Sequence, residues 1–142
     1  MATITADLET GYRVEIGNGR HTWFADEPVD LGGTDTGPNP YELMLGSLAA
    51  CTAITLSMYA SRKGIDLTSV SAQFTYDRKH AEDCEFCEDD ATGMIDTVST
   101  QIFLEGNFTD EERDRLAQVA TRCPVHKTLE KGITFNEQVI VG

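Results

Sequence analysis

The sequence has little positive charge. Its 142 residues include 11 lysines and arginines against 24 aspartates and glutamates, for a formal net charge of −13 at pH 7. A surface with this excess of acid repels phosphate backbones and anionic membranes, so neither nucleic acid nor a membrane is an expected partner. A charged-then-apolar leader is also lacking at the start, and we therefore expect a cytoplasmic protein.

Cysteine is scarce, with four residues at irregular spacing. A disulfide scaffold is therefore not expected, and the thiols should stay reduced or serve chemistry. The apolar fraction of 40% is ordinary for a soluble globular protein. Length and composition together predict a single domain over residues 1–142 with one hydrophobic core.

Charge is missing altogether from nineteen consecutive residues, Leu43–Ser61. Asn39, followed by Pro40 and Glu42, predicts a helix N-terminus, because Asn caps free N–H groups and proline fits the first helical position. This helix should end near Gly64. Its small and polar residues argue against a membrane span, and the favoured interpretation is a helix buried in the centre of a domain or a dimer.

Alternating apolar residues predict strands on both sides of this helix. Three strands precede it, and Asn18-Gly19 indicates a hairpin between the second and third, because both residues accept positive φ. Two strands follow, in VSAQFTY and VSTQIFLEG, and the chain should end in a last strand, ITFNEQVIV.

A second helix is predicted by a capping box at Thr109 and Glu112. Pro124 should interrupt it and restart the chain as a short helix with Cys123 at its N-cap. The complete order is βββ-α-ββ-α-β, and the predicted fold class is α+β with antiparallel sheets.

Cys51 and Cys123 are the candidate reactive residues. Taken alone, Cys51 in its apolar helix is a small core residue, because a reactive thiol needs a helix N-terminus, a cation or a base. Cys123 is predicted to lie at a helix N-terminus, and His126 and Lys127 are near it in sequence. It also completes the apolar face of the preceding helix, so a structural role is the alternative. If the two sulfurs meet, a peroxide could oxidise one to sulfenic acid, which the other could convert to a disulfide.

The remaining two cysteines lie in the acidic stretch HAEDCEFCEDD. His80, Cys84 and Cys87 have a spacing that can ligate zinc, and the surrounding acids favour a divalent cation. Three ligands form only part of a structural site, so an inert acidic loop is the alternative interpretation.

Two blocks, GPNPYELMLGSLAACTAITL and the downstream TRCPVHKTL, resemble the OsmC/Ohr family of thiol-dependent hydroperoxide reductases, in its OsmC-like branch. The resemblance implies an intertwined homodimer, in which antiparallel sheets surround two central helices and the active sites lie between the subunits. In the Ohr branch a glutamate directly follows N-P, whereas here Tyr41 stands at that position and Glu42 comes next.

The resemblance also implies a mechanism that requires no cofactor. Cys51 would be the peroxidatic cysteine that attacks an organic hydroperoxide, and Cys123 the resolving cysteine that captures the sulfenate in a disulfide. An external dithiol would then reduce that disulfide. A cation should hold the Cys51 thiolate and an acid should orient the cation, and Arg20 and Glu42 are the candidates, with Arg13 as the other cation.

Two alternative functions stay open. The chain could be a non-catalytic OsmC-like protein that binds a metal or a small apolar ligand. It could also be a redox sensor that signals through formation of the same disulfide.

Overall fold

The computed structural model describes residues 1–84 and 92–142. The chain forms two compact units, Met1–Gly46 and Ser47–Gly142. Helix α1, Pro40–Lys63, begins in the first unit and continues in the second.

The first unit contains an antiparallel sheet of three short strands, which confirms the three strands expected before the helix. They are β1, Thr5–Asp7, β2, Val14–Gly17, and β3, Thr22–Ala25, in the order β1-β2-β3. A short 3-10 helix, Val29–Leu31, lies in the loop between β3 and α1.

The predicted hairpin between β2 and β3 is present, and Gly17 pairs with Thr22 at its end. Gly19 has the positive φ of 89° that the turn requires. Asn18 contributes through its side chain, because its Oδ1 accepts the N–H groups of Arg20 and His21 at 2.9 and 2.8 Å.

Helix α1 has the predicted start and end. The Oδ1 of Asn39 accepts the N–H of Glu42 at 2.9 Å, and the helix stops at Lys63 before Gly64, whose φ is 68°. One side of the helix is buried, along residues four positions apart: Leu48, Thr52, Leu56 and Ala60. By length and composition alone α1 is also apolar enough to cross a membrane, a test that the core helices of soluble proteins pass as well.

The second unit continues with a long antiparallel hairpin of β4, Asp66–His80, and β5, Met94–Asn107. Both strands extend beyond the apolar alternation that predicted them. Polar pairs across the strands accompany the extension, since the Tyr76 hydroxyl donates to Asp96 at 2.6 Å. Apolar patterning does not detect such pairs, because they lie on the exposed surface.

Helices α2, Asp110–Ala120, and α3, Pro124–Lys131, follow the hairpin. The capping box is confirmed, because Thr109 Oγ1 accepts the Glu112 N–H at 3.1 Å and the Glu112 carboxylate accepts the Thr109 N–H at 3.0 Å. The start of α3 at Pro124, with Cys123 as its N-cap, is confirmed as well.

The hydrophobic core of the second unit lies between α1 and α2. Leu56 and Ala60 of α1 pack with Leu116 and Val119 of α2, and the hairpin contributes partly buried side chains to the same cluster. Fully burying a leucine side chain contributes about 1.5–3 kcal/mol, so these contacts fix which side of α1 faces inward.

The last predicted strand is not formed within this chain. Residues 132–142 adopt neither helix nor strand. A strand needs a neighbour to accept and donate its backbone hydrogen bonds, and the described strands of this chain do not pair with these residues. The α+β class with antiparallel sheets is confirmed.

Candidate functional site

Cys51 lies in the middle of α1 as a half-buried free thiol. Its Sγ is 4.0 Å from the Thr55 hydroxyl, one helical turn further on. The next residue, Thr52, is buried, whereas Ile54 is exposed. Cys51 therefore lies at the border between the buried and the exposed side of α1, within the part of the helix that has no charge.

Cys123 is a free thiol with 1% of its surface exposed. Its Sγ accepts the backbone N–H of His126 at 3.3 Å, as an N-cap side chain does. The sulfur consequently faces the positive end of the α3 dipole. Negative charge that develops on this sulfur during thiol chemistry would meet a hydrogen-bond donor already in position.

Both candidate cations belong to the first unit. The Arg13 guanidinium lies 4.0 Å from the centre of the Phe24 ring, in a cation–π contact. Arg20 is exposed in the β2–β3 turn, where Asn18 holds its backbone. Of the two candidates, Arg13 contacts the Phe24 ring through its guanidinium, and Arg20 does not.

Glu42 lies in the first turn of α1, and its side chain is exposed. It precedes Cys51 by nine positions, which corresponds to about 180° around an α-helix. The two side chains therefore project from opposite sides of α1.

The zinc prediction stays untested. His80 ends β4, and Cys84 follows a short 3-10 helix, Ala81–Asp83, while Cys87 lies outside the described residues. Cys84 is disulfide-bonded, whereas Cys51 and Cys123 are free thiols. Within residues 1–84 and 92–142, no group of three or more His, Cys, Asp or Glu residues is arranged so that it could hold a metal ion.

Asp26 is a buried carboxylate that the sequence analysis did not single out. Its Oδ2 accepts the Thr34 hydroxyl at 2.5 Å, the Thr36 hydroxyl at 2.8 Å and the Thr36 N–H at 3.2 Å. Its Oδ1 accepts the Glu27 N–H at 2.8 Å. These bonds, led by the Thr34 hydroxyl, hold the pKa of Asp26 far below its usual value, although burial acts in the opposite direction.

The hydrogen bonds of Asp26 close the loop that leads into α1. Its backbone N–H donates to the Pro38 carbonyl at 3.1 Å, directly before the Asn39 cap. The loop passes so close to β3 that a Cβ at Gly37 would lie 2.9 Å from the Phe24 carbonyl oxygen, and so close to its own start that a Cβ at Gly33 would overlap the Glu27 carbonyl. The signal in the sequence is an aspartate followed by a Gly-Gly pair and a T-x-T, although glycine content alone predicts only a loop.

Among the described residues the free thiols are Cys51 in α1 and Cys123 at the N-cap of α3. The sequence matches the OsmC-like protein family over residues 33–138, a range that includes the α1 cap and both free cysteines. The chain belongs to the OsmC-like protein family. No curated protein matches it.

Solved structures have the same fold at low sequence identity. An OsmC-like protein from Mycoplasma pneumoniae aligns with a TM-score of 0.70 and 22% identity over 92% of this chain and 87% of that one. The organic hydroperoxide resistance protein OsmC from Legionella pneumophila aligns at 0.61, with 20% identity over 89% and 87%. The organic hydroperoxide resistance protein OhrB of Bacillus subtilis aligns at 0.59, with 21% identity over 89% and 88%.

Proposed function

We propose that this chain is a thiol-dependent peroxidase that reduces organic hydroperoxides through Cys51 and Cys123. The observation that carries the proposal is the position of Cys123, whose sulfur faces the N-terminus of α3 and accepts the His126 N–H at 3.3 Å. A second free thiol, Cys51 in the uncharged part of α1, is available as its partner. The organic hydroperoxide resistance proteins with the same fold support this reaction class.

The reaction balances with one hydroperoxide and one dithiol. The Cys51 thiolate attacks an oxygen of the O–O bond, the bond breaks, and the alcohol leaves with the hydroperoxide proton. The resulting Cys51 sulfenate takes up one proton from water, the proton that the thiol released on ionisation, and becomes a sulfenic acid. The Cys123 sulfur then attacks Cys51 Sγ, the S–S bond forms, and water leaves. An external dithiol reduces the disulfide by two successive exchange steps and is itself oxidised to a disulfide.

Arg20 is the proposed cation for the Cys51 thiolate. It is favoured over Arg13, because the Arg13 guanidinium is already stacked on Phe24. Glu42 is the proposed acid that orients the cation. Glu42 and Cys51 project from opposite sides of one helix, so Glu42 would act at the site of a second copy.

The partner in this proposal is a second copy of the chain. Ile54 and Met58 are exposed on α1, next to Cys51 and within the segment that has no charge. A helix that is apolar on all sides is usually buried on all sides, and a symmetric homodimer would cover this one. The Cys51 sites would then lie at the subunit interface, without a metal or an organic cofactor.

The test measures consumption of cumene hydroperoxide with excess dithiothreitol by the wild type, Cys51→Ser and Cys123→Ser. Cys51→Ser should abolish consumption, because the attacking sulfur is gone. Cys123→Ser should retain the first turnover and, when dithiothreitol is left out, should accumulate oxidised Cys51. Consumption by the wild type and by Cys51→Ser that is no faster than in the protein-free control would contradict the proposal and would favour a non-catalytic binding protein.

One observation favours a redox sensor as the second candidate. Cys123 is buried, so an external reductant would reach its sulfur slowly. A sensor should form the disulfide with one equivalent of hydroperoxide and then turn over slowly even with excess dithiol. The time course of the same assay separates the two, because a peroxidase continues to consume substrate after the first turnover.

A further inference from the structure

A polar cleft of about 770 Å³ lies in the second unit, between the C-terminal end of α1 and the helix α2. Tyr59 and Lys63 line it from α1, and Arg115 and Gln118 line it from α2. Ile65, which follows α1, forms part of the same wall. None of these residues belongs to the proposed peroxidase site, so the cleft has no part in that reaction.

Arg115 is held in this cleft by two neutral groups. Its Nε donates to the Tyr59 hydroxyl at 3.2 Å, and its Nη1 donates to the Gln118 Oε1 at 2.9 Å. Glu111, one helical turn earlier, is the partner that helix geometry would favour. Among the described residues, however, Arg115 has no carboxylate within the 4.0 Å of an ion pair. The guanidinium is therefore fixed in position while its charge is not neutralised by an acid.

Two more cations lie close to Arg115. The guanidinium carbons of Arg62 and Arg115 are 5.8 and 5.9 Å from the centre of the Tyr59 ring, and Lys63 lines the cleft. Neither Arg62 nor Lys63 has an ion pair within residues 1–84 and 92–142. Three of the 11 lysines and arginines thus lie in or beside one cleft, in a chain whose net charge is −13. Positive charges grouped in this way attract an anion locally.

The α2 side of the cleft also has carboxylates, which restrict the size of that anion. They belong to Glu111, Glu112 and Asp114. Glu112 is already engaged, because its carboxylate accepts the Thr109 N–H at 3.0 Å in the helix cap. The other two would repel a polyanion such as nucleic acid, which extends beyond the cations. At about 0.1 M salt, charges more than about 10 Å away are largely screened, so the acids elsewhere on the chain do not prevent a small anion from binding.

We propose that this cleft binds a small ligand through one oxyanion group, a phosphate or a carboxylate, held by Arg115 and Lys63. An arginine can give two parallel N–H bonds to such a group, and a lysine adds a compact positive charge. Because Tyr59 and Gln118 already hold the guanidinium in place, binding orders fewer side chains than it would at a mobile arginine. The inference depends neither on the cysteine chemistry nor on the homodimer.

NMR titration of the ¹⁵N-labelled full-length chain at pH 7 tests the proposal. Sodium phosphate and sodium acetate are added in separate experiments, and sodium chloride at matched ionic strength is the reference. We expect saturable shifts of the Arg115 Nε–H and Gln118 side-chain amide signals, with a dissociation constant of about 10 mM or lower for at least one oxyanion. Tighter binding of phosphate would assign a phosphate group to the ligand, and tighter binding of acetate would assign a carboxylate.

Lys63→Gln is the variant that tests the cleft without disturbing its structure. Lys63 is exposed, and the bonds of Arg115 to Tyr59 and Gln118 do not involve it, so the fold should be unchanged. Loss of its charged donor should weaken oxyanion binding about tenfold. Arg115→Gln should weaken it at least as much, followed through the Gln118 signal.

Arg113→Gln is the matched control, because it removes one positive charge from the same helix. Arg113 is 66% exposed, pairs with Asp110 at 3.5 Å and does not line this cleft. Oxyanion binding should therefore be unchanged in this variant.

Two results would overturn the proposal. One is a set of shifts that never saturates, or that chloride reproduces. The other is an effect of Arg113→Gln as large as that of Lys63→Gln, because the response would then follow the net charge of the chain and not the cleft.

Discussion

A pair of alanine substitutions on α1 tests which side of this helix the fold buries. Leu56 has 0% of its surface exposed and belongs to the core, whereas Ile54 is 57% exposed on the same helix. Leu56→Ala removes methyl and methylene groups from a packed site, for which buried leucines cost about 2–5 kcal/mol. We expect about 3 kcal/mol, which corresponds to a fall in Tm of about 10 °C for a chain of this size.

Ile54→Ala should behave differently. In the monomer it should cost less than about 1 kcal/mol, because most of the side chain is already in water. If a second copy covers this side, an additional loss should be observed at high protein concentration, because association stabilises a dimer by mass action.

The assay is urea unfolding followed by circular dichroism at two protein concentrations a hundredfold apart. The Leu56→Ala loss should be the same at both concentrations. An Ile54→Ala loss as large as that of Leu56→Ala at the low concentration would refute the orientation of α1 described here. It would also remove the argument that Cys51 lies at the border of an exposed apolar side.

Three further predictions follow from the first unit and from α2. The ionised form of Asp26 is favoured in the folded state, so its contribution to stability is present above the unfolded pKa of about 3.9 and declines as the pH falls below it. Asp26→Asn should therefore lower stability at pH 7 and reduce the loss between pH 5 and pH 2 in acid unfolding, and an unchanged acid profile would contradict this. Thr109→Ala should cost about 1 kcal/mol in urea unfolding through loss of the helix cap, and a cost below about 0.3 kcal/mol would contradict it. Arg20→Ala should lower kcat/KM for cumene hydroperoxide more than Arg13→Ala does, and the reverse order would assign the cation to Arg13.

Helix starts could be predicted from the sequence because their signals are local. Asn39 and Thr109 each bond to an N–H three residues further on, so a short stretch of sequence contains both partners. The same holds for Cys123, which precedes a proline that fixes the start of α3. The start of α1, which contains Cys51, and the start of α3, which Cys123 caps, could therefore be predicted without knowledge of any tertiary contact.

The role of Asp26 could not be predicted in the same way. Its partners Thr34 and Thr36 lie eight and ten residues away, across a loop whose path depends on tightly packed glycines. Composition predicts such a segment only as a loop. The buried carboxylate becomes recognisable once the loop has closed on β3.

The prediction of the last strand was wrong for a different reason. The apolar alternation in residues 133–141 is a valid strand signal, but a strand also requires a neighbouring edge. Patterning describes one segment at a time and contains no information about which edge is available. The apolar side chains of residues 133–141 are exposed for the same reason that the strand is missing, because these residues have no neighbouring strand within the described part of the chain.

Peptide mass spectrometry can show directly whether Cys51 and Cys123 act as one redox pair. The protein is treated with one equivalent of cumene hydroperoxide, its free thiols are alkylated, and it is digested without reduction. We expect a peptide pair joined by a Cys51–Cys123 disulfide that dithiothreitol separates. Independent sulfinic or sulfonic acids on the two cysteines, without the joined pair, would contradict it.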